Sequence, residues 1–133
     1  GCCISNDDMF VVSASGDGTL KLWTTETGEE FQTLHGHYGY VYSCCVSSDD
    51  TFVVSASSDN TLKLWMTETG EELQTLRGHS ASVLGCCMST DNTFIVSAST
   101  DKTLKLWNSE TGEQIESGSD ILSDGNLNGN INL

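Results

Sequence analysis

Apolar and polar residues alternate in short runs separated by turn-forming clusters, and the same arrangement returns along the chain. VYSCCV at 41–46, FVVSAS at 52–57 and TLKLW at 61–65 are rich in Val, Phe, Thr or Trp and show no helix-period stripe. Turn signals stand between them: Ser-Ser-Asp-Asp at 47–50, then Ser-Asp-Asn-Thr at 58–61, whose counterpart at 16–18 is Gly-Asp-Gly. Thr-Glu-Thr-Gly at 67–70 turns the chain into a fourth run, Glu-Glu-Leu-Gln-Thr-Leu at 71–76. The pattern predicts four short antiparallel strands per unit and an all-β chain.

The period is 42 residues. Trp23, Trp65 and Trp107 keep that step, as do Cys3, Cys45 and Cys87, and Asp17, Asp59 and Asp101. The string TLKLW, starting at Thr19, Thr61 and Thr103, is copied unchanged. A period in this range points to propeller blades or helical solenoids, and the β pattern selects blades. The expected units are 1–42, with its first strand truncated, then 43–84 and 85–116. A Gly/Asn/Ser-rich tail, 117–133, follows; the alternation around Ile131 and Leu133 leaves a short edge or exchanged strand as the alternative.

These residues resemble the WD40 repeat β-propellers, whose blade carries a Gly-His pair, an Asp-x-Thr hairpin and a Trp ending the third strand. Here the pairs are Gly36-His37 and Gly78-His79, the hairpin acids are Asp17, Asp59 and Asp101, and the resemblance covers about residues 1–116. It departs from the family in two ways. Thr24, Met66 and Asn108 follow the tryptophans where the family usually has Asp, and Pro is absent throughout. The resemblance implies a structural hydrogen-bond relay in each blade: His37, Ser55, Asp59 and Trp65; His79, Ser97, Asp101 and Trp107; and, without a histidine, Ser13, Asp17 and Trp23. Which Ser of each Ser-Ala-Ser strand takes part is open, and the resemblance favours the first. The same residue types could make a Ser/His/Asp hydrolase, but no oxyanion hole is evident near Ser55. The chain is read as no enzyme.

Composition narrows the function classes. The 133 residues carry five Lys+Arg against 19 Asp+Glu, a net charge of −14 whose field repels phosphate backbones and anionic membranes. Nucleic acid and membrane are therefore not expected partners. The start GCCISNDD lacks the basic and apolar regions of a signal peptide, and the longest apolar runs are far short of a membrane span. The six cysteines form three adjacent pairs, Cys2–Cys3, Cys44–Cys45 and Cys86–Cys87. Neighbours in a strand point to opposite faces, so a pair cannot readily bridge itself or chelate one ion. They are read as buried thiols in a reducing, cytoplasmic setting. His35 and His37 belong to a loop, the Cys pair lies farther down the strand, and no Cys-x-x-Cys occurs, so no metal and no cofactor are expected.

On a propeller blade most carboxylates map to the loops joining strands one to two and three to four, giving an acidic bottom face. The top keeps the hairpin acids, Tyr38, Tyr40, Tyr42, Arg77 and Lys102. Tyr and Arg dominate interaction hot spots, so these five are the candidate contacts for a protein or peptide partner. Propellers close with four to eight blades and this chain supplies three. Two readings follow: a segment of a longer interaction scaffold, or a self-assembling unit that closes as a six-blade homodimer or nine-blade homotrimer.

Overall fold

The computed structural model describes residues 1–117. Twelve strands run β1 Cys2–Ile4, β2 Phe10–Ala14, β3 Leu20–Thr24, β4 Glu30–Leu34, β5 Val41–Val46, β6 Phe52–Ser57, β7 Leu62–Met66, β8 Glu72–Leu76, β9 Val83–Met88, β10 Phe94–Ser99, β11 Leu104–Asn108 and β12 Gln114–Ser117. They form three four-stranded antiparallel meanders, β1–β4, β5–β8 and β9–β12, with no helix among the described residues. This is the all-β blade architecture expected from the repeat. The tail readings at Ile131 and Leu133 lie outside the described residues.

Register is reproduced from sheet to sheet: Ala14 opposes Leu20, Ala56 opposes Leu62 and Ala98 opposes Leu104. The turn after each of these pairs needs one residue at positive φ, supplied by Gly18 (87°), Asn60 (73°) and Lys102 (71°). Gly and Asn reach that region readily; Lys does so only under strain. The third and fourth strands slip by one residue at the tryptophan, between Leu22 and Trp23 and again between Leu64 and Trp65.

The core is divided into two seams, each lying between neighbouring sheets. Phe10, Val12, Leu20, Leu22 and Leu34 of the first sheet pack on Val41, Cys44, Val53 and Trp65 of the second. Val54, Ala56, Leu62, Leu64 and Leu76 of the second pack on Val83, Ile95 and Trp107 of the third. Val53 and Val54 are adjacent yet belong to different seams, because successive strand residues face opposite sides. The middle sheet is buried on both faces, and each outer sheet on one.

Candidate functional site

Two features gather the sequence-predicted residues: a buried relay inside the blades and an open surface above them. In the second blade the Trp65 indole N–H donates to Ser55 Oγ at 2.8 Å. Ser55 Oγ lies 2.7 Å from His37 Nε2, and His37 Nδ1 lies 2.7 Å from Asp59 Oδ2. An ionised carboxylate can only accept, so Nδ1 carries the proton, Nε2 accepts from the serine hydroxyl, and every donor points toward Asp59. Asp59 also accepts from the Tyr38 N–H, the Thr61 N–H and the Thr61 hydroxyl. The third blade repeats this with Trp107, Ser97, His79 and Asp101 at 2.8, 2.7 and 2.7 Å.

Electrostatics agree with the bonding. Burial pushes the His37 pKa down, against the opposing pull of Asp59, which favours a neutral imidazole. Burial alone would raise Asp59, yet the bonds from Thr61, His37 and the Tyr38 N–H more than reverse it and hold its pKa at about 2. Asp101 is lowered in the same way.

The first blade has only part of this network. Trp23 donates to Ser13 Oγ at 2.9 Å, and Asp17 accepts from the Thr19 N–H and hydroxyl at 2.9 and 2.7 Å. Its relay includes no histidine, because the Gly-His loop serving each blade comes from the preceding one. That loop requires glycine for space: a Cβ at Gly36 would meet Trp65 Cη2 at 3.0 Å, and one at Gly78 would meet Trp107 Cη2 at 3.1 Å. The geometry also assigns the serines. The first of each Ser-Ala-Ser strand receives the indole, while Ser15, Ser57 and Ser99 accept from the backbone N–H of the hairpin acids.

This arrangement is unsuited to nucleophilic attack. Ser55 and Ser97 are buried at 0% and 1% exposure, and each oxygen already engages an indole and an imidazole. A substrate carbonyl has no approach to either.

Above the relay, Tyr38 and Tyr40 stand at 94% and 59% exposure. With Gly16, Asp17, His37, Gly39 and Ser58 they line an open depression of about 410 Å³ on the top of the first two blades. Tyr42 packs edge-on against Tyr40, with ring centroids 6.3 Å apart, and stays outside that lining. Arg77, just after β8, and Lys102, in the hairpin between β10 and β11, are exposed and likewise absent from it. Of the five candidate contacts, the structure thus brings two into one concave site.

A family model described as WD domain, G-beta repeat matches residues 1–24, 28–66 and 70–108. The chain belongs to the WD40 repeat family. Each full match begins before the outermost strand of one sheet and ends with the third strand of the next, so a WD40 sequence repeat spans two blades. Guanine nucleotide-binding protein subunit beta-5b of Danio rerio is 44% identical over 36 residues, which is 27% of this chain and 9% of that protein. Solved structures of U3-55K and of the RRP9 WD40 repeats superpose with TM-score 0.84 at 24% identity, covering 87% of this chain and 37% of each of theirs. At that identity the likeness shows the fold. The chain spans under a tenth of the curated relative and little more than a third of the solved chains. WD40 propellers typically serve as protein-interaction scaffolds.

Two arrangements in these WD40 blades were not anticipated. Asp50, in the Ser-Ser-Asp-Asp turn of the acidic bottom face, also clamps the first blade: it accepts from the Asn6 N–H, the Asn6 amide and the Asp7 N–H. Asn92 does the same for Ser48 one blade later. Asp8, Asp50 and Asn92 keep the 42-residue step in the sequence, but their shared φ of 61° is visible only in coordinates. The second concerns the cysteines. The expectation of buried thiols holds for Cys44 alone; Cys3, Cys45 and Cys86 are half-buried, and Cys2 and Cys87 are exposed. Among the described residues, the outward members Cys2 and Cys87 have no facing sheet.

Proposed function

We propose that this WD40 segment is a non-enzymatic scaffold that captures a protein or peptide segment on its top face, with Tyr38 and Tyr40 as anchors. The observation that carries this is the depression they share with Asp17, two exposed rings beside a carboxylate with one oxygen free of the Thr19 contacts. Rings on a rigid support supply contact area at little entropic cost, and an adjacent carboxylate suits a basic side chain laid against them. The net charge of −14 favours a basic partner over an acidic one, and Asp17 is the carboxylate that would meet it at the depression. Neither hydrolysis nor a cofactor enters this reading. The test is capture of partners by the wild-type chain and by Tyr40→Ala. Binding weakened about tenfold or more, with unfolding unchanged, supports it; equal capture by both chains sinks it.

A second reading, closure against further blades or another copy, is favoured by one observation. Leu20 and Leu62 are fully buried, whereas the equivalent Leu104 is 41% exposed on the outer flank of the third blade. Beside it Phe94, Val96, Cys87 and Met88 line an open recess of about 310 Å³. By the repeat, this flank is the surface that the first two blades offer to their successors. The mass of the particle in solution distinguishes closure by copies, a discrete dimer or trimer, from a segment that needs other blades.

A further inference from the structure

The paired cysteines acquire a partner arrangement from the fold. Cys3 Sγ of β1 lies 3.2 Å from Cys44 Sγ of β5, across the first seam. One period on, Cys45 of β5 and Cys86 of β9 both pack against the second seam, and Cys45 is the neighbour that most raises the Cys86 pKa. The surroundings repeat too: Cys44 Sγ lies 3.7 Å from the Val12 carbonyl oxygen and Cys86 Sγ 3.7 Å from that of Val54. The alternation that prevents adjacent cysteines from bridging each other therefore sends one thiol of each pair toward the preceding blade and the other toward the following blade.

We infer that Cys3 with Cys44, and Cys45 with Cys86, are dithiol pairs that a hydroperoxide oxidises to disulfides, locking neighbouring blades together at their innermost strands. Closing from 3.2 Å to the roughly 2.05 Å of a disulfide requires a displacement of about 1 Å, within the reach of side-chain rotation. The chemistry balances without any bound group. Oxygen transfer from hydrogen peroxide to one sulfur gives a sulfenic acid and one water. The second thiol then attacks that sulfur, the S–S bond forms, the S–O bond breaks, and the hydroxyl leaves with the thiol proton as a second water. The 3.2 Å contact puts each sulfur within reach of the other, so whichever is oxidised first is resolved by its partner. Each bridge closes a loop of about 40 residues, which restricts the unfolded chain and raises the melting temperature of the oxidised form.

The experiment treats the whole 133-residue chain with hydrogen peroxide under native conditions, blocks residual thiols with N-ethylmaleimide, and maps tryptic peptides without reduction. Cleavage after Lys21, Lys63, Arg77 and Lys102 separates the three cysteine pairs. The expected products are cross-links from 1–21 to 22–63 and from 22–63 to 78–102, within single chains when light and nitrogen-15 chains are mixed. Cys3→Ser and Cys44→Ser each reduce the first link at least tenfold, while Cys2→Ser leaves it, and dithiothreitol returns the melting temperature to that of the reduced chain. The inference is overturned if the first link survives Cys3→Ser, if it is lost in Cys2→Ser, if mixed-isotope links predominate, or if peroxide modifies Cys2 and Cys87 without forming either bridge.

Discussion

Thr-Leu-Lys-Leu-Trp occurs three times unchanged and meets three different environments. In the second blade all five residues are buried. In the first, Leu20 and Leu22 are buried and Trp23 is half-exposed; in the third, Trp107 is buried and Leu104 is 41% exposed. The leucines face the following blade and the tryptophan faces the preceding one, so among the described residues each end of the three-blade array lacks a neighbour on one side. Burial in a repeat architecture is therefore a property of the neighbour as much as of the string, as expected when stability is a sum of units and interfaces.

The largest contrast should come from the leucines. Leu62→Ala empties a filled seam and should cost about 2–5 kcal/mol, whereas Leu104→Ala should cost under about 1 kcal/mol because the side chain already meets solvent. Urea unfolding of the two variants checks this, and equal losses would break the comparison. The relays should differ in the same sense. Asp59→Asn removes a charge that accepts four hydrogen bonds, for a loss of about 1–3 kcal/mol; Asp17→Asn in the first blade should shift the midpoint clearly less.

Acid sharpens the contrast between complete and incomplete relays. His37 has a lowered pKa in the fold, so stability begins to fall once pH drops below the ordinary histidine value and the unfolded chain takes up the proton. Asp59, held at about 2, contributes fully above the ordinary carboxylate range, and that contribution is lost as pH falls through about 2. Unfolding midpoints across pH 7 to 2 should decline over both windows, and Asp59→Asn should flatten the lower one. The smallest effect concerns the hairpins. Lys102→Gly relieves the positive φ that Gly18 meets without strain, and a gain of about 0.5–1 kcal/mol in thermal unfolding is expected.

Most of the fold was legible in the sequence because alternation sets the strands, and the 42-residue step fixes where they recur. VYSCCV and FVVSAS became β5 and β6 over the same residues. The serine left open by the Ser-Ala-Ser motif needed coordinates, since both serines lie on one face and only distance separates the indole acceptor from the turn acceptor. Contacts between blades were the least legible. Neither the Asp50 clamp nor the meeting of Cys3 with Cys44 follows from any single unit, because the partners sit 44 and 41 residues apart on different sheets. The concave site was half visible: exposed tyrosines were readable from composition, but their separation from Arg77 and Lys102 depends on which blade each loop crowns.

The central claim, that each blade's tryptophan is enclosed by the loop and sheet of the blade before it, is tested most directly by hydrogen exchange of the three indole N–H groups in nitrogen-15 spectra. Slow exchange at Trp65 and Trp107 with markedly faster exchange at Trp23 is the expected result. Equal rates at all three, or greatest protection at Trp23, would contradict the account.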